Sequence, residues 1–229
     1  DSSELLKDGE IVNISINSED GMPLSVDMPA SVILRITHTE PGVKGNTATN
    51  ATKPAVTETG AKINVPFGVN VLWDPMSTIA LAVSTNAKFV REIFTGTYAS
   101  DMGIWSPNAG EVMRYRNSLG RKDIQMFYNI SAEFAYSLDR RTTAERAEST
   151  VFSSIPDAVL VSGQITGQSA KLTEIKEVSK IIPTTPVLAN TGVNLENVEE
   201  ILKVTDGVII GSSLKVNGCL LYTSPSPRD

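Results

Sequence analysis

The sequence from Lys62 onward alternates between short apolar runs and longer stretches whose apolar residues recur at helical spacing. The apolar runs have the length of strands: INVPFGVNVLW, KFVREIF, DIQMFYNI, DAVLVSG, TPVLANTGV and DGVIIGSS. Strands that are apolar on both faces and are separated by helices are typical of a parallel sheet covered by helices. Upstream, IVNISINSED alternates apolar and polar residues and adds a seventh strand. The chain is therefore predicted to be an α/β protein.

Seven strand–helix steps with short connections predict a (β/α)8 barrel of the TIM type that lacks its first strand and its last helix. An open, doubly wound sheet is the alternative. The helix-start signals agree with either fold: the Asp74–Pro75 pair, a capping box of Thr142 and Glu145, and Asn194 ahead of LENVEEILKV. Gly120 stands where a helix is expected to end.

Residues 1–218 are predicted to form one barrel domain, with a segment at residues 30–60 that fits it poorly. Within that segment, residues 41–60 are rich in Thr, Ala, Gly and Pro, and we interpret them as a disordered or mistranslated insertion. The last eleven residues, CLLYTSPSPRD (219–229), match one reading frame of a transposase sequencing adapter and are interpreted as a scar. Because no Met precedes Asp1, we expect a fragment of a longer reading frame.

The composition narrows the classes of function. The chain has one cysteine, which lies in the scar, and one histidine, so disulfide frameworks and Cys/His zinc sites are excluded, and a cytoplasmic location is expected. A net charge of -6 argues against nucleic acid as a partner. No apolar run approaches the roughly 18 residues of a membrane span, which leaves only peripheral membrane contact. No spacing of carboxylates predicts a metal site, and nothing in the sequence identifies a cofactor or an oligomeric state.

Two predicted strand exits, ANTGVN and VIIGSS, place a glycine where the backbone must come close to a ligand. They follow the seventh and eighth strands of the barrel, where such barrels commonly bind phosphate. The alternative is that the glycines only allow tight turns. The predicted phosphate-binding residues are Asn190, Thr191, Gly192, Gly211, Ser212 and Ser213.

Charged residues inside a buried strand need a partner or a function. KFVREIF carries Arg91 next to Glu92, and we favour Arg91 as the inward residue that binds an anionic substrate or pairs with Glu19 or Glu133. An internal salt bridge with only a structural role is the equal alternative.

YNISAEF places Asn129, Ser131 and Glu133 on one face at a strand exit, where Glu133 is a candidate general base or hydroxyl-binding carboxylate. An exposed loop glutamate is the alternative. The loop TGTYASDMGIWSPNAG (95–110) is interpreted as a lid over the barrel mouth, and a plain packing loop is its alternative. The predicted lid residues are Thr95, Gly96, Tyr98 and Asp101. Further residues expected to line the pocket are Asn17, Asn70, Asp74, Ser162 and Gly163.

Together these residues resemble the BtpA/SgcQ family, whose barrel is that of the ribulose-phosphate-binding superfamily. The resemblance covers nearly all of residues 63–218 and is carried by VPFGVNVLWDP, AKFVREIFTGTYASDMG, FYNISAEFA, DAVLVSG, PVLANTGVNLENV and DGVIIGSSLKVNG. IVNISINSEDGMP resembles the family's second strand more loosely. The resemblance implies a barrel that is cytoplasmic or associates peripherally with a membrane.

The resemblance also implies two kinds of function. One founding member is linked to stabilising photosystem I, whereas the SgcQ-like branch accompanies sugar-uptake genes. Where the photosystem branch resembles D-x-H-x-K-H, this chain has Asn129, Ser131, Glu133 and Phe134, and FTGTYASDMG is similar to the SgcQ-like branch.

The leading hypothesis is a barrel that binds a phosphorylated sugar or a similar small anion, acting as an isomerase, aldolase or hydrolase. In this hypothesis Arg91 balances the charge of the ligand, and Glu19 or Glu133 moves the proton. The rival hypothesis is a non-catalytic assembly factor for a membrane complex such as photosystem I. The two hypotheses share the barrel and differ in which surface carries the function.

Overall fold

A computed structural model describes residues 11–17, 31–37, 66–101, 103–165 and 167–214; for 11–17, 31–37 and Leu214 it describes the backbone alone. Glu19, the segment 41–60 and the eleven terminal residues, all subjects of predictions above, lie outside the described residues. Contacts between Cα atoms divide the chain into two compact units. The first contains residues 1–92, 115–125 and 219–229, and the second contains residues 93–114 and 126–218. The prediction of one domain over residues 1–218 stays a prediction.

The described strands are β1 (Ile11–Asn17), β2 (Ser31–Thr37), β3 (Phe67–Val71), β4 (Phe89–Glu92), β5 (Tyr98–Ser100), β6 (Gly103–Trp105), β7 (Gln125–Asn129), β8 (Tyr136–Ser137), β9 (Ala158–Val161), β10 (Val187–Ala189) and β11 (Gly207–Val208). The described helices are α1 (Pro75–Thr85), α2 (Ala109–Ser118), α3 (Thr143–Ser154), α4 (Leu172–Ile181) and α5 (Val198–Leu202), followed by a 3-10 turn at Ser212–Leu214.

The long strands are parallel within each unit. In the first unit the order is β1–β2–β3–β4, and each neighbouring pair is parallel. In the second unit the order is β7–β9–β10–β11, again with parallel neighbours, and α3, α4 and α5 lie between successive strands along the chain. The carboxyl ends of neighbouring strands therefore meet at one edge of the sheet in each unit. The predicted alternation of parallel strands and helices is confirmed.

The central strands are buried on both faces, as their apolar sequences predict. Every residue of β3, β4 and β9 is buried. The core of the second unit joins Val159 and Val161 of β9 to Val187 of β10 and to Ile175 and Val178 of α4. Burial of such side chains stabilises the fold by about 25 cal/mol for each Å² of apolar surface removed from water.

The predicted helix starts hold at α1 and α3 but not at α5. Asp74 caps α1 by accepting a hydrogen bond from the Ser77 N–H at 2.9 Å, and Thr142 and Glu145 form the complete capping box of α3. The prediction that Asn194 opens a helix is wrong, because α5 begins at Val198. The Asn194 side chain instead accepts hydrogen bonds from the N–H groups of Glu196 and Asn197, which forms a turn ahead of the helix.

The segment predicted as a lid loop contains regular structure. β5 pairs antiparallel with β6 and with β8, which gives a small three-stranded sheet in the second unit. Tyr98 of β5 is 2% exposed and packs with Ile93, Ala132 and Trp105. These aromatic and apolar side chains form the buried face of the small sheet. Their packing against one another stabilises the pairing of the backbone into strands.

One of the parallel strands was not predicted. β2, with the sequence SVILRIT, is paired in parallel with β3 over Val32–Ile36. Its β-branched residues are a clear strand signal. The segment nevertheless lies next to the irregular, Thr-rich residues 41–60, which interrupt the alternation of strands and helices.

Candidate functional site

Four polar side chains are buried together at the carboxyl ends of three neighbouring strands in the second unit. Asn129 is the last residue of β7, Ser162 follows β9, Asn190 follows β10, and Glu133 lies in the connection after β7. Each of the four is at most 6% exposed. We call these residues the strand-end cluster. All four were predicted as site residues, and the structure brings them together.

Hydrogen bonds join the members of the strand-end cluster. The Asn190 amide donates to Glu133 Oε1 at 3.1 Å and to Ser162 Oγ at 2.6 Å. The Ser162 hydroxyl lies 3.1 Å from Asn129 Oδ1 and 3.4 Å from Glu133 Oε1, and its single proton serves one of these acceptors at a time. Asn129 Oδ1 also accepts from the Ser131 N–H at 3.2 Å. The buried carboxylate therefore has its hydrogen-bond donors already in place.

Two of the predicted phosphate-binding residues, Thr191 and Gly192, contact the loop after β9. Thr191 Oγ1 accepts from the Gly163 N–H at 2.6 Å and donates to the Gln168 carbonyl at 2.7 Å. A Cβ atom on Gly163 would lie 2.1 Å from Gln168 O, and one on Gly192 would lie 2.2 Å from Ser169 N. Both positions therefore require glycine because the backbone of the loop after β9 comes so close. For Gly192, this close packing supports the alternative interpretation, in which the glycine only allows a tight turn.

The turns after β10 and β11 lie against each other. Ser213 Oγ donates to the Val193 carbonyl at 3.0 Å, so the two chain segments are within hydrogen-bonding distance. In the described part of the chain, the main-chain N–H groups of Gly192, Ser212 and Ser213 donate to no protein acceptor. Unpaired N–H groups in two turns that contact each other at strand exits suit the binding of an anion.

The first unit has its own polar group at the ends of β3 and β4. The Glu92 carboxylate accepts hydrogen bonds from the Asn70 amide and, at 3.2 Å, from the Trp73 N–H. Glu92 was not among the predicted site residues, although a carboxylate inside a buried strand is the signal that could have found it. Arg91 is 4% exposed, and its predicted role stays a prediction. Both carboxylate oxygens of Asp74 bond to Ser77 at the start of α1, so Asp74 has a capping role.

A cleft with a volume of about 1270 Å³ opens beside the strand-end cluster, within the second unit. Ser162 and Gly163 belong to its lining, as does Asp101 of the predicted lid. The lining also contains these charged side chains: Arg140, Arg141, Arg146, Lys171, Asp139 and Glu174. Exposed apolar side chains complete it: Phe134, Tyr136, Leu138 and Ile165.

Ionisable groups in and beside the cleft have altered proton affinities. Burial raises the pKa of Tyr98 to about 12. Burial also acts to raise the pKa of Asp139, but hydrogen bonds from Arg141 and the positive charges of Arg141 and Arg146 outweigh it, so this pKa is lowered. Asp139 therefore stays ionised and pairs with Arg141 at 2.9 Å. Among the described residues, no group of three or more His, Cys, Asp or Glu side chains is placed to hold a metal ion.

Three of the predicted lid residues lie together. Tyr98 donates its hydroxyl proton to the Thr95 carbonyl at 3.1 Å, so these two lid residues contact each other. Gly96 lies between them with a φ of +99°. Asn17 is the last residue of β1, and nothing is described of its side chain. No helix in residues 66–214, apart from the undescribed positions 102 and 166, is long and apolar enough to cross a membrane.

Solved structures with a similar fold are TIM barrels. The tryptophan synthase α-subunit of Pyrococcus furiosus is 15% identical, with a TM-score of 0.60 over 91% of this chain and 89% of that one. (S)-3-O-geranylgeranylglyceryl phosphate synthase of Thermoplasma acidophilum, in complex with sn-glycerol-1-phosphate, is 12% identical, with a TM-score of 0.55 over 92% and 89%. With the parallel strands of each unit, these similarities confirm the predicted fold class, an incomplete (β/α)8 barrel.

Sequence similarity points to two kinds of relative. The sgc region protein SgcQ of Escherichia coli K12 is 47% identical over 156 residues, which is 68% of this chain and 58% of SgcQ. The photosystem I biogenesis protein BtpA of Synechocystis is 31% identical over 155 residues, or 67% of this chain and 54% of BtpA. Elongation factor P of Christiangramia forsetii is 70% identical over 70 residues, or 31% of this chain and 37% of that protein.

The chain thus spans between about a third and three fifths of the length of these relatives. The model of the BtpA family matches residues 38–223, which is most of the chain. That range includes the strand-end cluster, the two adjacent turns and the cleft. The similarity to SgcQ is also higher than the similarity to BtpA. The chain belongs to the BtpA family.

Proposed function

We propose that the chain binds a phosphorylated sugar or a similar small anionic metabolite at the carboxyl ends of β10 and β11. The phosphate accepts hydrogen bonds from the main-chain N–H groups of Gly192, Ser212 and Ser213, and Gly211 directly precedes the second turn. Asn190 and Thr191 lie next to this site in the sequence. The ligand extends from there toward the strand-end cluster and the cleft, in a protein that works in the cytoplasm.

The observation that carries the proposal is the contact between the two turns. Ser213 Oγ bonds to the Val193 carbonyl at 3.0 Å, which keeps both turns together without using a main-chain N–H group. Several N–H groups directed at one anion bind it more strongly than separate groups in water, because they are already in position. The Thermoplasma protein of similar fold was solved with sn-glycerol-1-phosphate bound, which supports a phosphate ester as the ligand.

The chemistry that this site suits is the transfer of a proton on the bound metabolite, as isomerases, aldolases and hydrolases perform. Glu133 is the proton acceptor in this proposal, because it is a buried carboxylate whose position is fixed by Asn190 and Ser162. Asn129 Oδ1 accepts a hydrogen bond from the Ser162 hydroxyl group and positions it beside Glu133.

A single main-chain N–H group can be removed to test the phosphate site. Proline at position 212 lacks this group, and its fixed φ suits the first residue of a 3-10 turn. We expect Ser212→Pro to raise the Kd for inorganic phosphate by a factor of about 10–100, because one hydrogen bond to a charged group is worth about 1.5–3 kcal/mol. The Kd is measured by isothermal calorimetry on the full chain.

Ser212→Ala is the matched control, since it removes the hydroxyl group but keeps the N–H group. We expect this variant to retain most of the affinity, and phosphate to raise the melting temperature of both the original chain and this variant. Equal affinity of Ser212→Pro and Ser212→Ala would show that the turn does not bind phosphate through its main chain.

A second function is favoured by the exposed apolar side chains of the cleft. Phe134, Tyr136, Leu138 and Ile165 are between 51% and 79% exposed, and clustered apolar surface often marks a protein contact. The relative from Synechocystis is named a photosystem I biogenesis protein, so an assembly factor for a membrane complex is the alternative. Two results together would favour the assembly factor. The chain would co-sediment with photosynthetic membranes and lose this in the Tyr136→Ser and Leu138→Ser variants, and phosphate would not bind to it.

A further inference from the structure

The strand-end cluster contains an acceptor that no protein group satisfies. Asn190 is 4% exposed, and its Oδ1 atom is fully buried and has no hydrogen-bond partner among the described residues. A buried polar atom that makes no hydrogen bond is costly, and native proteins rarely keep one without a reason. The atom therefore marks a place where something outside the chain is expected to donate a hydrogen bond.

The orientation of the Asn190 amide is fixed by its neighbours. Its two N–H groups donate to Glu133 Oε1 at 3.1 Å and to Ser162 Oγ at 2.6 Å. Turning the amide by 180° would place Oδ1 against the Glu133 carboxylate, and two acceptors would then face each other. The two N–H groups of the Asn190 amide are therefore both paired, whereas its Oδ1 atom accepts no hydrogen bond from a described residue. The missing partner must be a donor, which a fully ionised phosphate ester group is not.

We infer that Asn190 Oδ1 accepts a hydrogen bond from a hydroxyl group of the ligand, so that the substrate class is hydroxylated phosphate esters, such as polyol and sugar phosphates. This inference rests on the proposed phosphate site, which begins only two residues further along the chain, at Gly192. The carboxylate of Glu133, held by the same amide, lies beside that hydroxyl group. The strand-end cluster then selects for the hydroxyl group, and the turns after β10 and β11 select for the phosphate.

The test compares two probes that differ only in their hydroxyl groups. We expect sn-glycerol 1-phosphate to bind the full chain at least about tenfold more tightly than propyl phosphate, because propyl phosphate leaves the buried acceptor without a donor. In Asn190→Leu, which has a similar volume and lacks the acceptor, the ratio of the two Kd values should fall to near one. Calorimetric titration with each probe gives the ratio.

Glu133→Gln provides a second variant that preserves the volume of the side chain. A glutamine at this position can donate to Asn190, which lets the Asn190 amide turn and pair its Oδ1 atom inside the protein. The ratio of the two Kd values should therefore fall in this variant also. A ratio that stays at its original value in a folded Asn190→Leu or Glu133→Gln chain would overturn the inference.

Failure of this inference is distinguishable from failure of the proposed function. If inorganic phosphate and both esters bind the original chain, and the two esters bind equally well, the hydroxyl selection is wrong and the phosphate site remains. Such a result would mean that a water molecule satisfies Asn190 Oδ1 whatever the ligand. If none of the three probes binds, both the phosphate site and the hydroxyl selection are wrong.

Discussion

The hydroxyl group of Tyr98 is buried, and only its protonated form suits that environment. Burial raises its pKa to about 12, whereas an unfolded tyrosine titrates near 10. The folded chain therefore holds this proton more tightly, and the stability that this provides is complete below about pH 10 and is lost as the pH rises toward 12.

Tyr98→Phe is expected to reduce this loss of stability at high pH. The free energy of unfolding of the original chain should fall by an additional ~2 kcal/mol between pH 10 and 12, since each unit of pKa shift corresponds to about 1.4 kcal/mol. The Phe variant loses the hydrogen bond to the Thr95 carbonyl and should be slightly less stable at pH 8. Urea denaturation at pH 8, 10 and 11.5 measures both effects; parallel curves for the two chains would contradict the expectation.

Individual residues show which parts of the site the sequence could predict. Asn129, Ser162 and Asn190 were found because a polar residue at the exit of a buried strand is unusual and its position in the chain is visible. The role of the Thr191 hydroxyl was not, because its partners at Gly163 and Gln168 are more than twenty positions away in the sequence. The need for glycine at position 192 likewise depends on the loop at Ser169, which no local pattern indicates.

Among the elements, α3 has the most complete capping interactions. Thr142 accepts from the Glu145 N–H at 3.2 Å, and the Glu145 carboxylate accepts from the Thr142 N–H at 2.7 Å. We expect Thr142→Ala to lower the free energy of unfolding by about 1 kcal/mol, as is typical for the loss of an N-cap side chain. Thr142→Ser keeps the hydroxyl group and should be nearly neutral. Thermal unfolding followed by circular dichroism tests both variants; equal losses in the two would show that the cap contributes nothing.

The contrast between α3 and α5 explains why some elements are predictable and others are not. The capping box of α3 is contained in four consecutive residues, so the sequence displays it in full. Before α5, Asn194 has the same helix-starting chemistry, but its side chain accepts hydrogen bonds from the N–H groups of Glu196 and Asn197 within a turn. Asparagine favours both arrangements, and the choice is made by tertiary contacts such as the bond from Asn197 Nδ2 to Ser169 Oγ at 3.1 Å.

On the scale of the whole molecule, the period of the apolar runs was enough to predict the fold class. Parallel strands buried on both faces have only a few arrangements open to them, so β3, β4 and β9 could be recognised without any tertiary information. The small antiparallel sheet of β5, β6 and β8 could not. Its strands are two or three residues long, and they pair because Tyr98 and Trp105 pack on one another, with ring centres 6.1 Å apart.

The two kinds of sequence similarity predict unequal stability along the chain. The alignments with SgcQ and elongation factor P, of 156 and 70 residues, fit side by side in 229 residues, and the match to the BtpA family model begins at residue 38, after β1 and β2. We expect β1 and β2 to lie in the part that resembles elongation factor P.

The side chains of strands from another family are not selected to pack against β3. The amides of β1 and β2 should therefore exchange with solvent about tenfold faster than those of β3. Hydrogen exchange with mass spectrometry measures this, with β9 as the internal reference; equal protection of β1, β2 and β3 would show instead that all three belong to one cooperative sheet.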